Sequence, residues 1–262
     1  MISDWPQTAP PVRIALLADI HLGNRAMTSA WLRAVVAQVN DTRPDIVVIA
    51  GDFITGHEAK GADERASLLR EPLASLRAPL GVIAVLGNHD YWTAPDAVRS
   101  ALQKAGITIL ENTAIRRGPL AIIGVGDAFS GHDDVAKAMT SASQIGGFPV
   151  VLTHTPDLNH KLQRGMLPLL LAGHTHCGQV VLPWIGPVMT RSPFEHWKRL
   201  YDPRYRCGIV HGDGRTVIVT GGLGSGSGPI RIGAPPDWWL IDLRSAVSPS
   251  SDEHALSRSD RK

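Results

Sequence analysis

The sequence predicts an α/β fold, a four-layer α-β-β-α sandwich of two mixed β-sheets flanked by helices. Short runs rich in Val, Ile and Leu recur along the chain, with stretches of helical spacing between the early ones. Several runs are apolar at every position, which is typical of strands covered on both faces. The predicted strands begin at Val12, Ile46, Val82, Leu120, Pro149, Leu167, Val180, Thr216 and Trp238.

Three helices are predicted in the first half of the chain, over 28–40, 63–77 and 94–105. Each of these stretches carries apolar residues at helical spacing and ends near Gly, Pro or Asn. Fewer helical patterns separate the later apolar runs, so we expect an antiparallel portion there.

The length and composition predict a single domain. With 262 residues and 44% hydrophobic content, the chain can bury one large core. The domain is predicted over 12–244, after an N-terminal extension over 1–11. The last segment, 245–262, is rich in Ser, Asp and Arg and poor in large apolar residues, so it is predicted to be a disordered tail.

Charge, cysteine content and hydropathy exclude several classes of protein. The net charge of +2 does not suggest the concentrated positive surface of a dedicated nucleic-acid binder. Two cysteines, Cys177 and Cys207, cannot build a disulfide framework, so a reducing compartment is expected. Residues 1–11 do not resemble a signal peptide, and no stretch of about 18 apolar residues could span a bilayer. A cytoplasmic location is predicted, with peripheral membrane contact left open and no protein partner inferable.

Asp, Asn and His residues follow the ends of several predicted strands. The carboxyl ends of neighbouring strands in open α/β sheets meet at one edge, so residues distant in sequence come together there. Buried charges and imidazoles are costly unless they are paired or bind metal. The pattern therefore predicts a metal site built from Asp19, His21, Asp52, Asn88, His154, His174 and His176.

Five short motifs contain these residues in the order ADIH, AGDF, LGNHD, LTH and AGHTHCG. Together they resemble the motif blocks of the calcineurin-like metallophosphoesterase superfamily. The stretch GGLGSGSGPIRIGAPP, which begins at Gly221, is similar to a bacterial subgroup that includes a cell-wall-associated Bacillus-type branch and a lipid A precursor hydrolase branch. The resemblance extends from Val12 to about Leu243.

The resemblance implies two divalent transition-metal ions. Asp19, His21 and His176 would hold the first ion, Asn88, His154 and His174 the second, and Asp52 would bridge them. Imidazole nitrogens combined with carboxylate and amide oxygens suit Mn, Fe or Zn better than Ca or Mg. Two such ions can share a hydroxide made from bound water, which attacks the phosphate ester.

The resemblance also implies catalytic residues outside the ligand set. His89 would donate a proton to the leaving oxygen or stabilise the charge that develops there, and Asp90 would orient the His89 ring. Arg231 is a candidate for binding the substrate phosphate, against the alternative of a solvated surface residue. The glycines Gly51, Gly87 and Gly173 each precede a ligand, where a positive φ or a close backbone approach is expected.

The function predicted from these residues is a phosphodiesterase or a pyrophosphatase-type hydrolase, acting on a small-molecule or lipid-linked phosphoester. The better-known enzyme of the lipid A precursor branch carries Arg at the position of His89, which weakens that match. The alternatives are a nuclease of the same superfamily, which the modest charge disfavours, a cyclic-nucleotide phosphodiesterase, and a catalytically inactive binding scaffold. Complete ligand positions disfavour the scaffold.

One further segment stands out. Residues 193–205, PFEHWKRLYDPRY, interleave aromatic and basic side chains. Such a pattern suits a lipid headgroup, a nucleobase or a membrane surface, and it is equally compatible with an ordinary surface loop.

Overall fold

The strands form two large sheets and one small hairpin. The computed structural model describes residues 5–193, 195–226 and 228–245. Within them the strands are β1 (Val12–Leu17), β2 (Ile46–Ala50), β3 (Val82–Val85), β4 (Thr108–Ile109), β5 (Thr113–Arg117), β6 (Leu120–Gly124), β7 (Phe148–Leu152), β8 (Leu169–Ala172), β9 (Val181–Leu182), β10 (Gly186–Pro187), β11 (Gly208–Gly212), β12 (Arg215–Val219) and β13 (Trp239–Leu243).

Both large sheets are mixed. The first has the order β13-β1-β2-β3-β4 and the second the order β11-β12-β8-β7-β6-β5. Neighbours from β1 to β4 are parallel, and β13 runs antiparallel to β1. In the second sheet β12, β8, β7 and β6 are parallel, with β11 and β5 antiparallel at the edges. The expected antiparallel portion is therefore confined to strands at sheet edges.

The helices lie on the outer faces of the two sheets. They are α1 (Ser29–Asp41), α2 (Ala62–Ser67), α3 (Arg70–Leu73), α4 (Asn88–Thr93), α5 (Pro95–Lys104) and α6 (Val135–Ala142), with short 3₁₀ helices at Pro156–Lys161, His176–Gly178 and Pro203–Tyr205. Thr28 caps α1 by accepting a hydrogen bond from the Trp31 backbone N–H. The helix predicted over 63–77 is divided into α2 and α3, because Pro72 has no N–H to continue the helical hydrogen bonds.

Three apolar clusters fill the spaces between the four layers, and this arrangement confirms the predicted sandwich. The middle cluster packs Leu16 and Val48 of the first sheet with Val150 and Leu171 of the second. Side chains that alternate with these point outward and pack under α1 and α5 on one side, and under α6 on the other. The two sheets therefore pack face to face through this shared core. As a result, the carboxyl ends of β1, β2, β3, β7 and β8 lie close together.

The segments outside the predicted domain are only partly described. In the predicted extension the Trp5 ring is buried, with its centroid 5.1 Å from that of Phe148 in β7. The predicted tail lies outside the described residues from 246 onward. The domain boundaries stay a prediction. No helix among the described residues combines the length and the apolar content that crossing a bilayer requires.

Candidate metal centre

The predicted ligands all lie at strand ends, where the two sheets meet. Asp19 and His21 follow β1, Asp52 follows β2, and Asn88 begins α4 after β3. The remaining three come from the second sheet, after β7 and β8. All seven side chains are buried, so the structure brings them into one enclosed cluster.

One half of the cluster, which we call the first subsite, consists of Asp19, His21 and His176. The Nε2 atoms of His21 and His176 are 3.1 Å apart. Oδ1 of Asp19 lies 3.6 Å from His176 Nε2 and 4.0 Å from His21 Nε2. These atoms are close enough to share one cation.

The other half, the second subsite, consists of Asn88, His154 and His174. Nε2 of His154 lies 3.0 Å from Oδ1 of Asn88 and 3.2 Å from Nδ1 of His174. As in the first subsite, the potential ligand atoms face one another across a gap of ion size.

Asp52 stands between the two subsites. Its Oδ2 lies 3.4 Å from His21 Nε2 and 3.3 Å from His154 Nε2. Its Oδ1 accepts a hydrogen bond of 2.9 Å from the backbone N–H of His89, which fixes the carboxylate plane. One oxygen is therefore left to face both subsites.

The hydrogen-bond inventory of the second subsite fits a cation. Nδ1 of His154 donates to the Ala50 carbonyl at 2.6 Å, and Nε2 of His174 donates to the Leu200 carbonyl at 2.9 Å. When the rings are neutral, Nε2 of His154 carries a lone pair that faces the oxygens of Asn88 and Asp52, and Nδ1 of His174 carries one that faces His154 Nε2. Acceptors that converge without a proton between them repel one another, and a bound cation removes that repulsion.

Burial and charge set the protonation of the cluster. Burial lowers the pKa of His21 to about 3 and that of His174 to about 4, which keeps both rings neutral. Burial also raises the pKa of Asp19 to about 7. Burial alone would lower the pKa of His154, but the adjacent Asp52 carboxylate outweighs it and the pKa lies well above the usual range. A cation at the second subsite would therefore have to compete with a proton on His154.

The backbone at the ligands is strained. Asp19, His21, Asp52, His174 and His176 have φ values of 51°, 47°, 57°, 71° and 49°. A left-handed conformation costs a residue with a Cβ about 1–2 kcal/mol, and such strain clusters at functional sites. The strands thus end in sharp turns that aim the side chains inward.

The glycines before the ligands serve close approach as well as turn geometry. Gly51 has a φ of 85°, as predicted from its place before Asp52. Gly87 and Gly173 lack a positive φ, yet a Cβ at either would collide with Asp52 or Asp19.

His89 borders the cluster but is held by a different group from the one predicted. Its Nδ1 lies 2.6 Å from the carbonyl oxygen of Gly56, so the ring donates there. The expectation that Asp90 orients this ring is wrong in the structure. Asp90 instead accepts hydrogen bonds from the backbone N–H groups of Asp52, Phe53 and Gly87 at 2.8–3.0 Å. It therefore holds the strained turn that carries Asp52, and burial raises the pKa of Asp90 to about 7.

Arg231 is turned toward the protein and not toward the cleft. Its Nη2 donates to Nδ1 of His176 at 2.9 Å and to the Gly221 carbonyl at 2.7 Å, and its Nε donates to the Gly224 carbonyl at 2.8 Å. These contacts do not support the predicted role in substrate binding, because the guanidinium donates its hydrogen bonds to His176 and to carbonyls of the glycine-rich loop, the stretch that begins at Gly221. Sequence reasoning missed this link, since nothing in the spacing of residues 176 and 231 indicates contact.

A cleft of about 190 Å³ opens beside the second subsite. His89 and His174 contribute to its polar floor, and Trp92, Phe129, Val188, Met189, Leu200 and Tyr201 form apolar walls. His57, which lies close after Asp52 in sequence, also lines it, with its ring centroid 4.6 Å from that of His89. The cleft suits a ligand with an apolar portion next to its polar group.

Cys177 and Cys207 form a disulfide, with Cα atoms 4.8 Å apart. The reducing compartment expected from only two cysteines did not anticipate this bond. Cys177 directly follows His176, and the turn at His176–Gly178 brings it to the segment before β11. The bond ties one ligand loop to the edge of the second sheet, a contact that two isolated cysteines in a sequence cannot reveal.

Comparison with known proteins agrees with the geometry. Residues 12–178 match the family model described as calcineurin-like phosphoesterase. The chain is 29% identical to the uncharacterized metallophosphoesterase YkuE of Bacillus subtilis, over 89% of this chain and 79% of the relative. It is 29% identical to the UDP-2,3-diacylglucosamine pyrophosphatase LpxG of Chlamydia trachomatis, over 88% and 83%. It is 28% identical to the phosphodiesterase YaeI of Escherichia coli, over 91% and 84%.

Proposed function

We propose, from the premise that the chain belongs to the calcineurin-like phosphoesterase family, that it is a dinuclear metal-dependent phosphoesterase. One observation carries the proposal. A single oxygen, Oδ2 of Asp52, lies 3.4 Å and 3.3 Å from imidazole nitrogens of two separate ligand clusters. A shared carboxylate between two clusters of acceptors is the arrangement that a pair of adjacent cations requires.

The ligand roles follow from the two subsites. Asp19, His21 and His176 would hold one ion, Asn88, His154 and His174 would hold the other, and Asp52 would serve both. The mixture of imidazole nitrogens and oxygens favours Mn, Fe or Zn. When bound, the ions polarise the phosphoryl oxygens and lower the pKa of water, so that no protein nucleophile is needed.

His89 is the proposed general acid. With Nδ1 donating to Gly56 O, its Nε2 is the nitrogen left to meet a leaving oxygen, and it carries a proton to donate there when the ring is doubly protonated. The ring also lines the cleft. We expect His89→Ala to keep both metals and to lower turnover by ~10²-fold or more. His211→Ala, which changes an exposed histidine, is the control. Loss of metal from His89→Ala would assign the ring to the ligand set instead.

The substrate class is inferred from the cleft. Among the described residues that line it there is no Lys or Arg, whereas a groove for a nucleic-acid strand is normally basic. The apolar walls favour a small-molecule or lipid-linked phosphoester, either a diester or a pyrophosphate. The named relatives, a pyrophosphatase and a phosphodiesterase, support the same class.

Metal analysis and hydrolysis of bis-p-nitrophenyl phosphate test the proposal together. We expect about two transition-metal ions per chain and hydrolysis that chelation abolishes. Two bound ions without hydrolysis of any phosphoester at any pH would support the alternative of an inactive scaffold. Panels of nucleotides, UDP-sugars, phospholipids and single-stranded DNA then separate the substrate classes.

The bounds of the domain and its location are proposed as well. We take residues 12–244 as the catalytic unit, because they contain all the strands of both sheets. A cytoplasmic location stays a prediction of the sequence. The disulfide argues against it, since such bonds are rare in reducing compartments.

A further inference from the structure

Large apolar side chains are exposed on a projecting segment next to the cleft. The β9–β10 hairpin carries Trp184 and Ile185 at its tip, with relative exposures of 102% and 74%. Val188 and Met189 follow directly, and Trp197 is 66% exposed on the next loop. Monomeric proteins seldom display so many large apolar groups on one short segment unless they bind something there.

The two exposed tryptophans are also held in unusual backbone conformations. Trp184 has a φ of 62° and Trp197 a φ of 59°. A left-handed φ is a genuine outlier for a bulky residue and costs free energy in the isolated protein. Neither ring compensates for this by packing into the core, so the conformation presents the rings to the surroundings.

Arginines lie beside this apolar segment. Arg191, Arg199 and Arg206 surround a second cavity of about 350 Å³, together with Thr190 and Tyr201. None of the described carboxylates lines this cavity or forms a salt bridge with these three guanidiniums. A cavity with three arginines and no carboxylate among its described lining residues attracts an anion such as a phosphate group.

The apolar segment and the arginine cavity adjoin the metal cleft. Val188 and Met189 are exposed and at the same time line the cleft, and Tyr201 lines both the cleft and the arginine cavity. A ligand whose phosphate sits at the metal subsites can therefore extend along apolar walls to the same surface that carries Trp184.

We propose that this face, formed by residues 181–193 and 195–206 and here called the docking face, binds the surface of an anionic phospholipid bilayer. Trp184 and Ile185 enter the interfacial layer, where tryptophan is favoured. Arg191, Arg199 and Arg206 lie against lipid phosphates. The apolar tip matches the apolar interior of such a bilayer, and the three arginines, which have no carboxylate partner among the described residues, match its negative headgroups. The inference rests on the proposed function in that the enzyme then takes its phosphoester from the membrane surface.

Vesicle co-sedimentation tests the docking face directly. The purified holoprotein is mixed with vesicles of phosphatidylcholine alone or with one quarter phosphatidylglycerol. We expect about tenfold stronger binding to the anionic vesicles, weakened by added salt. The double variant Trp184→Ser/Ile185→Ser should bind about tenfold less to anionic vesicles. Arg191→Gln/Arg199→Gln should remove the preference for anionic lipid.

Trp31→Ser is the matched control, because it removes a 51% exposed tryptophan from α1, away from the docking face. It should bind vesicles as the wild type does. Equal sedimentation of the wild type and Trp184→Ser/Ile185→Ser with anionic vesicles would overturn the proposal. So would self-association of the wild type without lipid that the same double variant abolishes, since the face would then join two copies of the chain.

Hydrolysis of soluble bis-p-nitrophenyl phosphate separates this inference from the proposed function. Trp184 and Ile185 are absent from the described lining of the cleft, so their replacement should change that rate less than about twofold. Vesicle binding without any hydrolysis would refute the enzymatic function and leave docking standing. Hydrolysis without vesicle binding would refute docking alone.

Discussion

The two metal subsites are supported in different ways. In the second, the rings of His154 and His174 donate to the backbone carbonyls of Ala50 and Leu200, so main-chain groups set their orientation. In the first, Nδ1 of His21 has no partner among the described residues, and Nδ1 of His176 accepts from Arg231. The second subsite is therefore oriented by main-chain carbonyls, whereas the first depends on a side chain from the glycine-rich loop.

This difference affects how each subsite accepts an ion. Arg231 contacts the His176 ring at Nδ1, while Nε2 of the same ring faces the other ligands of the first subsite, so Arg231 helps to position this ligand. Groups behind metal ligands tune affinity in this way, and removing them typically weakens binding 10- to 100-fold. The first subsite is thus expected to be the more sensitive of the two to remote substitutions.

The largest effect is expected where the two subsites share a residue. Asp52→Asn removes the negative charge that faces both clusters, and its amide cannot supply two equivalent anionic contacts. We expect metal affinity to fall by more than about a hundredfold at both subsites, with turnover lost. Metal content by mass spectrometry checks this. Retention of one full equivalent of metal would show that Asp52 belongs to one subsite only.

The next largest effect is expected from pH, because metal affinity should depend on pH differently at the two subsites. The pKa of Asp19 is raised to about 7 by burial, so a proton competes with the first ion below that pH. The affinity of the first subsite for its ion should rise about tenfold per pH unit up to about pH 7 and then level off. The pKa of His154 is raised well above its usual range, mainly by Asp52 against the effect of burial, so affinity at the second subsite should continue to climb. Calorimetric titration from pH 5 to 9 measures both, and parallel curves would contradict the assignment.

Arg231→Gln tests the dependence of the first subsite on the loop. The variant loses the charged donor at His176 Nδ1, so we expect about tenfold weaker binding of the first ion and an unchanged second ion. Arg204→Gln, at an exposed arginine on the docking face, is the control for loss of charge. Equal weakening at both subsites would mean that Arg231 supports the whole fold and not one ligand.

The smallest effect on metal binding is expected from the disulfide. Cys207→Ser frees the loop that carries His176 and removes a covalent link across a sequence separation of 30 residues. We expect first-ion affinity to fall only a few-fold and the free energy of unfolding to fall by about 3 kcal/mol. Urea denaturation and metal titration measure the two quantities. An unchanged unfolding free energy would show that the link does not constrain the chain.

The sequence alone was sufficient for the sandwich and for the seven side chains that gather at the strand ends, whereas their role as metal ligands stays a prediction. Strands such as β2 are apolar at every position and buried throughout, and the residues that follow them stand in recognisable motifs. Strand ends in an α/β sheet converge for topological reasons, so Asp19, Asp52 and His154 could be brought together without coordinates. The predicted helix over 63–77 is interrupted between Ser67 and Arg70, upstream of Pro72, so apolar spacing alone did not show where the chain lacks a backbone donor.

Tertiary structure decided the contacts between parts of the chain that no short motif links. The carbonyl of Gly56 orients the His89 ring, and Asp90 supports the turn at Asp52. Neither contact could be predicted from the sequence, because backbone groups are the same in every residue. The contact between Arg231 and His176 and the bond between Cys177 and Cys207 depend on how separate loops pack. Periodicity reports which face of an element is apolar, but not which distant loop will cover it. Trp184 remains exposed for the same reason, since only the folded chain shows that no core element in its described part reaches this ring.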